Sequence, residues 1–300
     1  MKKKITAKQL FESGEQIFAP CVYDAMSARA AQASGYKCLM LSGGAIAYSM
    51  DGQPDMAFGT VDEVISVVEN ITNAVDIPLI ADFDDGYAES PAVIYRNVRR
   101  LIRAGASGFT LEDSTGIRGF ERGEYYAANP GEVNPAKVHP ETAIIDREAW
   151  LSRIKAALAA CEGTDCICIA RTHAAGAYGW EEALLRAQLA RRLGAPMTMI
   201  GGTRVMQQGI SWAAVDPGWK MWPDVTIIDG KPAVELEDVK KLGFNFVTMH
   251  VFEKSALYGM LKYARKDWEN KSVAFSSTFD MENLLTADEL REISSMRRTF

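Results

Sequence analysis

The chain lacks any apolar run long enough to cross a bilayer, which excludes a helical membrane protein. It also lacks a basic block. Its 300 residues carry a net charge of −6, so nucleic acid is not an expected partner. No Gly-rich turn follows the first strand-like run; that position reads Cys21-Val22-Tyr23-Asp24-Ala25, which argues against a dinucleotide-binding open sheet. Five cysteines are an odd number, and Cys166-Ile167-Cys168 has the spacing of one strand face rather than of a metal-binding pair. Buried, reduced thiols in a cytoplasmic protein are the expectation. Met1-Lys2-Lys3-Lys4 resembles the basic start of a leader, but Lys8, Gln9, Glu12 and Ser13 leave no apolar segment behind it. A solvated amphipathic first helix is expected there, and no membrane partner.

What is present is a repeat of short apolar runs and helical patterns. Strands are expected at Ile17–Val22, Cys38–Ser42, Ile77–Asp82, Gly108–Glu112, Cys166–Arg171, Met197–Ile200, Val225–Ile228 and Asn245–His250. These runs do not alternate with polar residues, as parallel strands covered on both faces would not. Thr60-x-x-Glu63 is a capping box, and Ser90-Pro91 starts a helix whose buried stripe is Ile94, Val98, Leu101 and Ile102. Gly35, Gly105, Gly194 and Gly243 each close a helix before the next strand. Eight such units fit an α/β fold of the (β/α)8 TIM-barrel type over residues 1–270, with a doubly wound open sheet as the rival. Residues 271–300 form a helical tail, announced by Thr286-x-x-Glu289 and striped by Leu290, Ile293 and Met296. Such a tail needs a surface, on its own barrel or on a neighbouring subunit.

In a barrel the C-terminal ends of the strands share one mouth. They would bring together Tyr23 and Asp24, Ser42-Gly43-Gly44, Asp82 and Asp84, Glu112 and Asp113, and Arg171. Asp82, Asp84 and Glu112 are hard oxygen ligands of the kind Mg2+ accepts. Arg171 offers a planar fork for a carboxylate. Gly43 and Gly44 let backbone N–H groups approach an anionic oxygen. Each piece has a plainer reading: an acidic turn, a helix cap, a structural ion pair. Four strand ends with compatible chemistry favour a metal-chelated small carboxylate.

These residues resemble the isocitrate lyase and phosphoenolpyruvate mutase superfamily, from about Ile17 to Arg192 and more weakly to Tyr263. Val22-Tyr23-Asp24-Ala25-Met26-Ser27-Ala28 is similar to its first-strand segment and Leu41-Ser42-Gly43-Gly44 to its substrate-binding turn. Gln53-Pro54-Asp55 is similar to the loop whose aspartate approaches the metal. Asp82-Phe83-Asp84-Asp85-Gly86-Tyr87 resembles the metal motif, with Phe83 where a small residue is usual. Leu111-Glu112-Asp113 and Ala170-Arg171-Thr172 resemble the Glu-Asp pair and the carboxylate-gripping arginine. The resemblance implies a barrel holding Mg2+ or Mn2+ on Asp82, Asp84 and Glu112, and a 2-oxo or 2-hydroxy carboxylate bound by Ser42, Gly43, Gly44 and Arg171. It also implies an enolate or related oxyanion, and a last helix packed on another subunit of a homo-oligomer, a dimer or tetramer.

The sequence departs from that family where protons move. The lyases carry Lys-Lys/Arg-Cys-Gly-His soon after the Glu-Asp pair; here the segment reads Ser114-Thr115-Gly116-Ile117-Arg118-Gly119-Phe120-Glu121-Arg122, and Asp113–Ile145 contains no cysteine. The mutase-type Lys and Asn-Ser signature is missing too. The family's Asp after Arg-Thr is His173, its Pro-Glu-Ala segment is Ile200-Gly201-Gly202, and its Asn-rich seventh strand end is not recognisable near Ile227-Ile228-Asp229. Expected catalytic residues are Tyr23, Asp55, Arg171 and His173, with His139, Glu121, Glu124, Tyr125 and Tyr126 as further acid–base candidates; His250 reads as a strand-end residue without chemistry. The expectation is a Mg2+-dependent lyase for C–C cleavage or decarboxylation of a small dicarboxylate. The alternatives are a phosphonopyruvate-type hydrolase or mutase, and a non-catalytic barrel that binds a metal–carboxylate complex.

Overall fold

The computed structural model describes residues 4–53, 55, 57, 59–115, 143–225, 227–228, 230–273 and 280–296. Eight parallel strands close into a barrel: β1 (Ile17–Val22), β2 (Leu39–Leu41), β3 (Leu79–Asp82), β4 (Gly108–Leu111), β5 (Ile167–Thr172), β6 (Met197–Ile200), β7 (Trp219–Trp222) and β10 (Phe244–Met249), which pairs with β1. Between the last two, β8 (Ile227–Ile228) and β9 (Lys231–Pro232) form a small antiparallel hairpin outside the barrel. The (β/α)8 expectation holds.

The local signals work as their chemistry requires. Thr60 and Glu63 make the reciprocal capping box of the helix Val61–Ala74. Pro91 opens the helix Pro91–Arg103, which buries Ile94, Val98 and Leu101 against the outer faces of the strands. At Gly105, which ends this helix, φ is +98° and a Cβ would come within 2.9 Å of Thr72 Oγ1, so only glycine fits. Interior and outer layers are distinct. Ile17, Ala19, Cys21, Met40, Ile80, Ile167, Ile169, Met197, Met199, Met221 and Phe246 fill the barrel, while Phe83, Phe109 and Trp150 lie in the layer between strands and helices.

One strand differs from the sequence reading. The seventh barrel strand is Trp219–Trp222, not Val225–Ile228, whose Ile227 and Ile228 are exposed in the hairpin. The polar residue that disguises the true strand is Lys220. It is 1% exposed, and its ammonium donates to Asp216 O and Gly218 O, both at 2.9 Å. The segment after β2 starts as a helix (Gly43–Ile46) and continues through a π-helical turn (Ala47–Asp51). All five cysteines are free thiols, and no helix among the described residues is long and apolar enough to cross a membrane.

Past β10 the helix Phe252–Asn270 buries no residue, and Leu257, Tyr258, Met260, Leu261 and Trp268 are exposed along it. The tail helix Ala287–Met296 is capped by Thr286 and Glu289, and Glu289 also pairs with Arg29 at 3.0 Å.

Candidate metal and carboxylate site

The end of β3 is shaped by a tight turn. Gly86 N–H donates to Phe83 O at 2.9 Å, and Asp84 and Tyr87 both adopt positive φ (42° and 56°). Non-glycine residues there cost roughly 1–3 kcal/mol each, so the surroundings must hold them. Phe83 is fully buried and meets Phe109 and Tyr87 edge-on, with centroids 5.9 and 5.3 Å apart. A Cβ on Gly86 would lie 3.1 Å from Ile94 Cγ1 and Leu111 Cδ1. The bulky Phe83 thus anchors the turn from the apolar layer while Asp82 and Asp84 face the mouth. Glu112 N–H donates to Asp84 O at 2.8 Å, tying the ends of β3 and β4 together.

Each of Asp82, Asp84 and Glu112 offers a carboxylate oxygen within 4.8 Å of the others, and Glu112 is fully buried. Thr110 Oγ1 donates to Asp82 Oδ1 (2.9 Å), Tyr87 OH to Asp84 Oδ2 (3.0 Å), and Ser114 Oγ to Glu112 Oε1 (2.5 Å). Arg171, at the end of β5, spans the cluster: Nη1 donates to Asp82 Oδ1, and Nε lies against Glu112 Oε2, both at 3.1 Å. Three carboxylates facing one guanidinium leave a surplus of two negative charges, which a divalent cation matches. An all-oxygen donor set suits Mg2+ or Mn2+. Such an ion would be held by these three side chains, directly or through its waters.

The second wall comes from β2. A Cβ on Gly43 would sit 3.6 Å from Asp82 Oδ2 and 3.7 Å from Asp84 Oδ2, and one on Gly44 would sit 3.2–3.3 Å from the Asp55 side chain. The turn therefore lies directly on the carboxylates, and Asp55 lies on the turn. Ser42 caps the helix that follows, its Oγ accepting from Ala45 N–H at 3.2 Å, so the N–H groups of Gly43 and Gly44 have no acceptor within the helix.

The third wall carries the two departures from the family pattern. His173 Nε2 lies 3.0 Å from Glu112 Oε2, where an Nε2–H tautomer donates to it. A Cβ on Gly201 would be 2.7 Å from His173 Nδ1. Gly201 leaves the space that the imidazole fills, so His173 and Ile200-Gly201-Gly202 are one local exchange. Below it, Asp113 is fully buried: it accepts from His173 N–H (2.8 Å), Thr172 Oγ1 and Arg186 Nη1 (3.0 Å). Asp24, by contrast, is a helix cap accepting from Ser27 N–H at 2.7 Å. Tyr23 stands at the end of β1; burial first, then the charges of Asp24 and Glu253, raise its pKa and keep the hydroxyl protonated. His139, Glu121, Glu124, Tyr125 and Tyr126 lie outside the described residues.

The sequence reading missed Gly201 as a partner of His173, and it missed Asp224. With the seventh strand moved to Trp219–Trp222, Asp224 follows that strand by two residues, and its Oδ2 hydrogen-bonds His250 Nδ1. The signal was the strand's Trp-Lys-Met-Trp run, hidden by its lysine.

The barrel carries an acidic triad and an arginine at its mouth, a donor set that could hold a divalent cation, and comparison with known proteins gives its family. The family model for phosphoenolpyruvate phosphomutase matches residues 7–267. The chain belongs to that family, and so to the isocitrate lyase/phosphoenolpyruvate mutase superfamily. It is 34% identical over 167 residues to the 2-methylisocitrate lyase of Escherichia coli (strain K12), a match covering 56% of this chain and about half (51%) of that protein. The solved structure of oxaloacetate acetylhydrolase with the product oxalate has a TM-score of 0.82 at 26% identity, covering 98% of this chain and 96% of that one. That of phosphonopyruvate hydrolase with oxalate and Mg2+ has a TM-score of 0.73 at 20% identity over 98% and 97%, a likeness of fold.

Proposed function

We propose that this protein is a Mg2+- or Mn2+-dependent lyase that breaks a C–C bond of a small 2-oxo or 2-hydroxy dicarboxylate, or decarboxylates it. The observation that carries the reading is the meeting of Asp82, Asp84 and Glu112 with Arg171 and the bare Gly43-Gly44 turn in one mouth. The names of the relatives, a 2-methylisocitrate lyase and an oxaloacetate acetylhydrolase, support the substrate class. When bound, the ion supplies Lewis-acid stabilisation of the oxygen that gains negative charge. Arg171 grips the substrate carboxylate. The N–H groups of Gly43 and Gly44, positioned by Ser42, donate to the developing oxyanion. Asp55, against Gly44, orients the substrate from the β2 side. His173 holds Glu112 and stands ready for proton transfer, and Tyr23 offers a protonated hydroxyl.

The same reading extends to the assembly. A barrel domain (1–270) with a helical tail (271–300) forms a homo-oligomer, a dimer or tetramer, in the cytoplasm. Support comes from the helix Phe252–Asn270, which buries none of its residues and exposes Leu257, Tyr258, Met260, Leu261 and Trp268, and from a cavity of about 320 Å³ bordered by Phe18 of β1 and by Val247 and Met249 of β10. A second copy's helix would fill it. Free thiols throughout suit a reducing compartment.

The test is a substrate panel with Mg2+. Pyruvate released from oxaloacetate, malate-type or methylisocitrate-type acids is the expected result. Phosphate released from phosphonopyruvate would replace this reading with C–P chemistry. Oxalate binding without turnover on any of them would make the barrel a binder.

A further inference from the structure

Two helices outside the barrel each bury one polar residue in an otherwise apolar stripe. The helix Pro91–Arg103 buries Asn97 with Ile94, Val98 and Leu101, and the helix Arg147–Cys161 buries Arg153 with Trp150, Ile154 and Ala157. A buried amide or guanidinium is costly unless it is partnered. Both side chains find their partner in the same turn, Phe83–Tyr87. Asn97 Nδ2 donates to Gly86 O at 3.0 Å. Arg153 Nη1 faces Asp85 Oδ2 at 3.7 Å and has no hydrogen-bond partner among the described residues, so the Asp85 carboxylate supplies the charge that offsets it.

The turn needs such restraint. Asp84, Gly86 and Tyr87 have φ of +42°, +85° and +56°, and only one of the three is glycine. Asp85 passes the restraint on: its Oδ1 accepts from Tyr87 N–H at 2.8 Å, and Tyr87 OH donates to Asp84 Oδ2 at 3.0 Å. Asp85 is also the third acid of the run Asp82-Phe83-Asp84-Asp85, and would itself be a competent cation ligand. Turning it to the mouth would strand the Arg153 guanidinium, which is 7% exposed. Arg153 therefore keeps Asp85 on the helix side and leaves Asp84 to meet Asp82 and Glu112.

We propose that Arg153 and Asn97 are positioning residues of the cation site, which set the left-handed turn that presents Asp84 before any ion arrives. The assignment rests on the cation part of the reading above. Both act through the turn: Arg153 through Asp85, Asn97 through the Gly86 carbonyl. A ligand set held in place in advance needs no rearrangement when the ion enters, so affinity depends on what holds it.

Charge gives the test its sign. Removing a cation near three carboxylates tightens the binding of a divalent ion by electrostatics alone, whereas losing a positioning residue weakens it. Mn2+ binding to the full chain, without substrate, is read by calorimetry and by the EPR signal of free Mn2+. Arg153→Met should weaken it by about 10- to 100-fold. Arg153→Lys keeps a cation facing Asp85 and should recover at least ~3-fold of that loss. Asn97→Leu, neutral and of similar size, should weaken Mn2+ by about 10-fold or more. Ile154 is fully buried beside Arg153 in the sequence. Ile154→Ala should lower the melting temperature and leave Mn2+ affinity within about twofold, which separates positioning from general loosening. Unchanged or tighter Mn2+ binding in Arg153→Met or Asn97→Leu overturns the assignment, as does a Lys variant no better than Met. So does an Ile154→Ala protein weakened as much as Arg153→Met. Should Arg153→Met fail to fold, Asn97→Leu decides. Each of these outcomes leaves the cation site standing, whereas a parent that binds no Mn2+ overturns that site and this assignment together.

Discussion

Neutralising one ligand of the acidic triad should make the metal-free protein more stable, not less. Asp84→Asn is the cleanest choice. Its backbone sits at φ +42°, a region that Asn tolerates as well as Asp, so the change adds no strain. Two like charges at the 4.8 Å limit of the cluster repel by about 3.5 kcal/mol at an effective dielectric constant of ~20. Asp84 faces two such neighbours, while solvent and Arg171 screen them, so relief of about 1–3 kcal/mol is expected. That corresponds to a rise of roughly 2–6 °C in melting temperature for a chain of this size. Mg2+ reverses the order. At ~100 times its Kd it stabilises the parent by about 2.7 kcal/mol, and the variant by far less. Thermal scans in EDTA and in Mg2+ should therefore cross. If Asp84→Asn melts below the parent in EDTA, or keeps the full Mg2+ shift, the three carboxylates are not a cation site.

Arg171→Lys keeps the charge and loses the fork; oxalate affinity in the presence of Mg2+ should fall by roughly 10- to 100-fold, read by calorimetry, and an unchanged Kd would remove Arg171 from substrate binding. Gly201→Ala places a methyl group 2.7 Å from His173 Nδ1, so the ring must leave Glu112. A stability cost of ~1–3 kcal/mol with weakened Mn2+ binding is expected, and a neutral result would separate the two residues. Lys220 has its pKa lowered to about 8, chiefly by burial, with Arg191 adding to the shift and Asp216 opposing it. Its stabilising contribution is fully present above the unfolded value of 10.5 and is lost as pH falls through about 8. Urea unfolding of the parent against Lys220→Met between those limits should show a parent that gains relative stability as pH rises; a flat difference would mean that the ammonium titrates normally.

The barrel was legible because its signals are local. Capping boxes, Pro91 at a helix start and Gly105 at a helix end act within a few residues, and buried parallel strands read as plain apolar runs. The seventh strand was illegible for the opposite reason. What makes Trp219–Trp222 a strand is a lysine whose ammonium is satisfied by carbonyls of the preceding turn, a tertiary fact with no local signature. The end of the seventh strand then shifts from the neighbourhood of Asp229 to Trp222.

The site divides along the same line. Ligand types at strand ends follow from register, so Asp82, Asp84, Glu112 and Arg171 could be named from the sequence. Their pairings could not, because each joins residues far apart in the chain. The His173–Gly201 contact shows what is lost. Taken singly, a histidine in place of an aspartate and a glycine in place of a glutamate read as two missing supports. Brought within van der Waals reach, they are one substitution of support: the glycine gives up volume, the imidazole takes it, and Glu112 receives its hydrogen bond from a ring nitrogen. A buried carboxylate cannot be left without donors, since an unpaired buried charge costs several kcal/mol. Glu112 draws on three partners, Ser114 Oγ on one oxygen and Arg171 Nε and His173 Nε2 on the other, and the space at Gly201 is what admits the third.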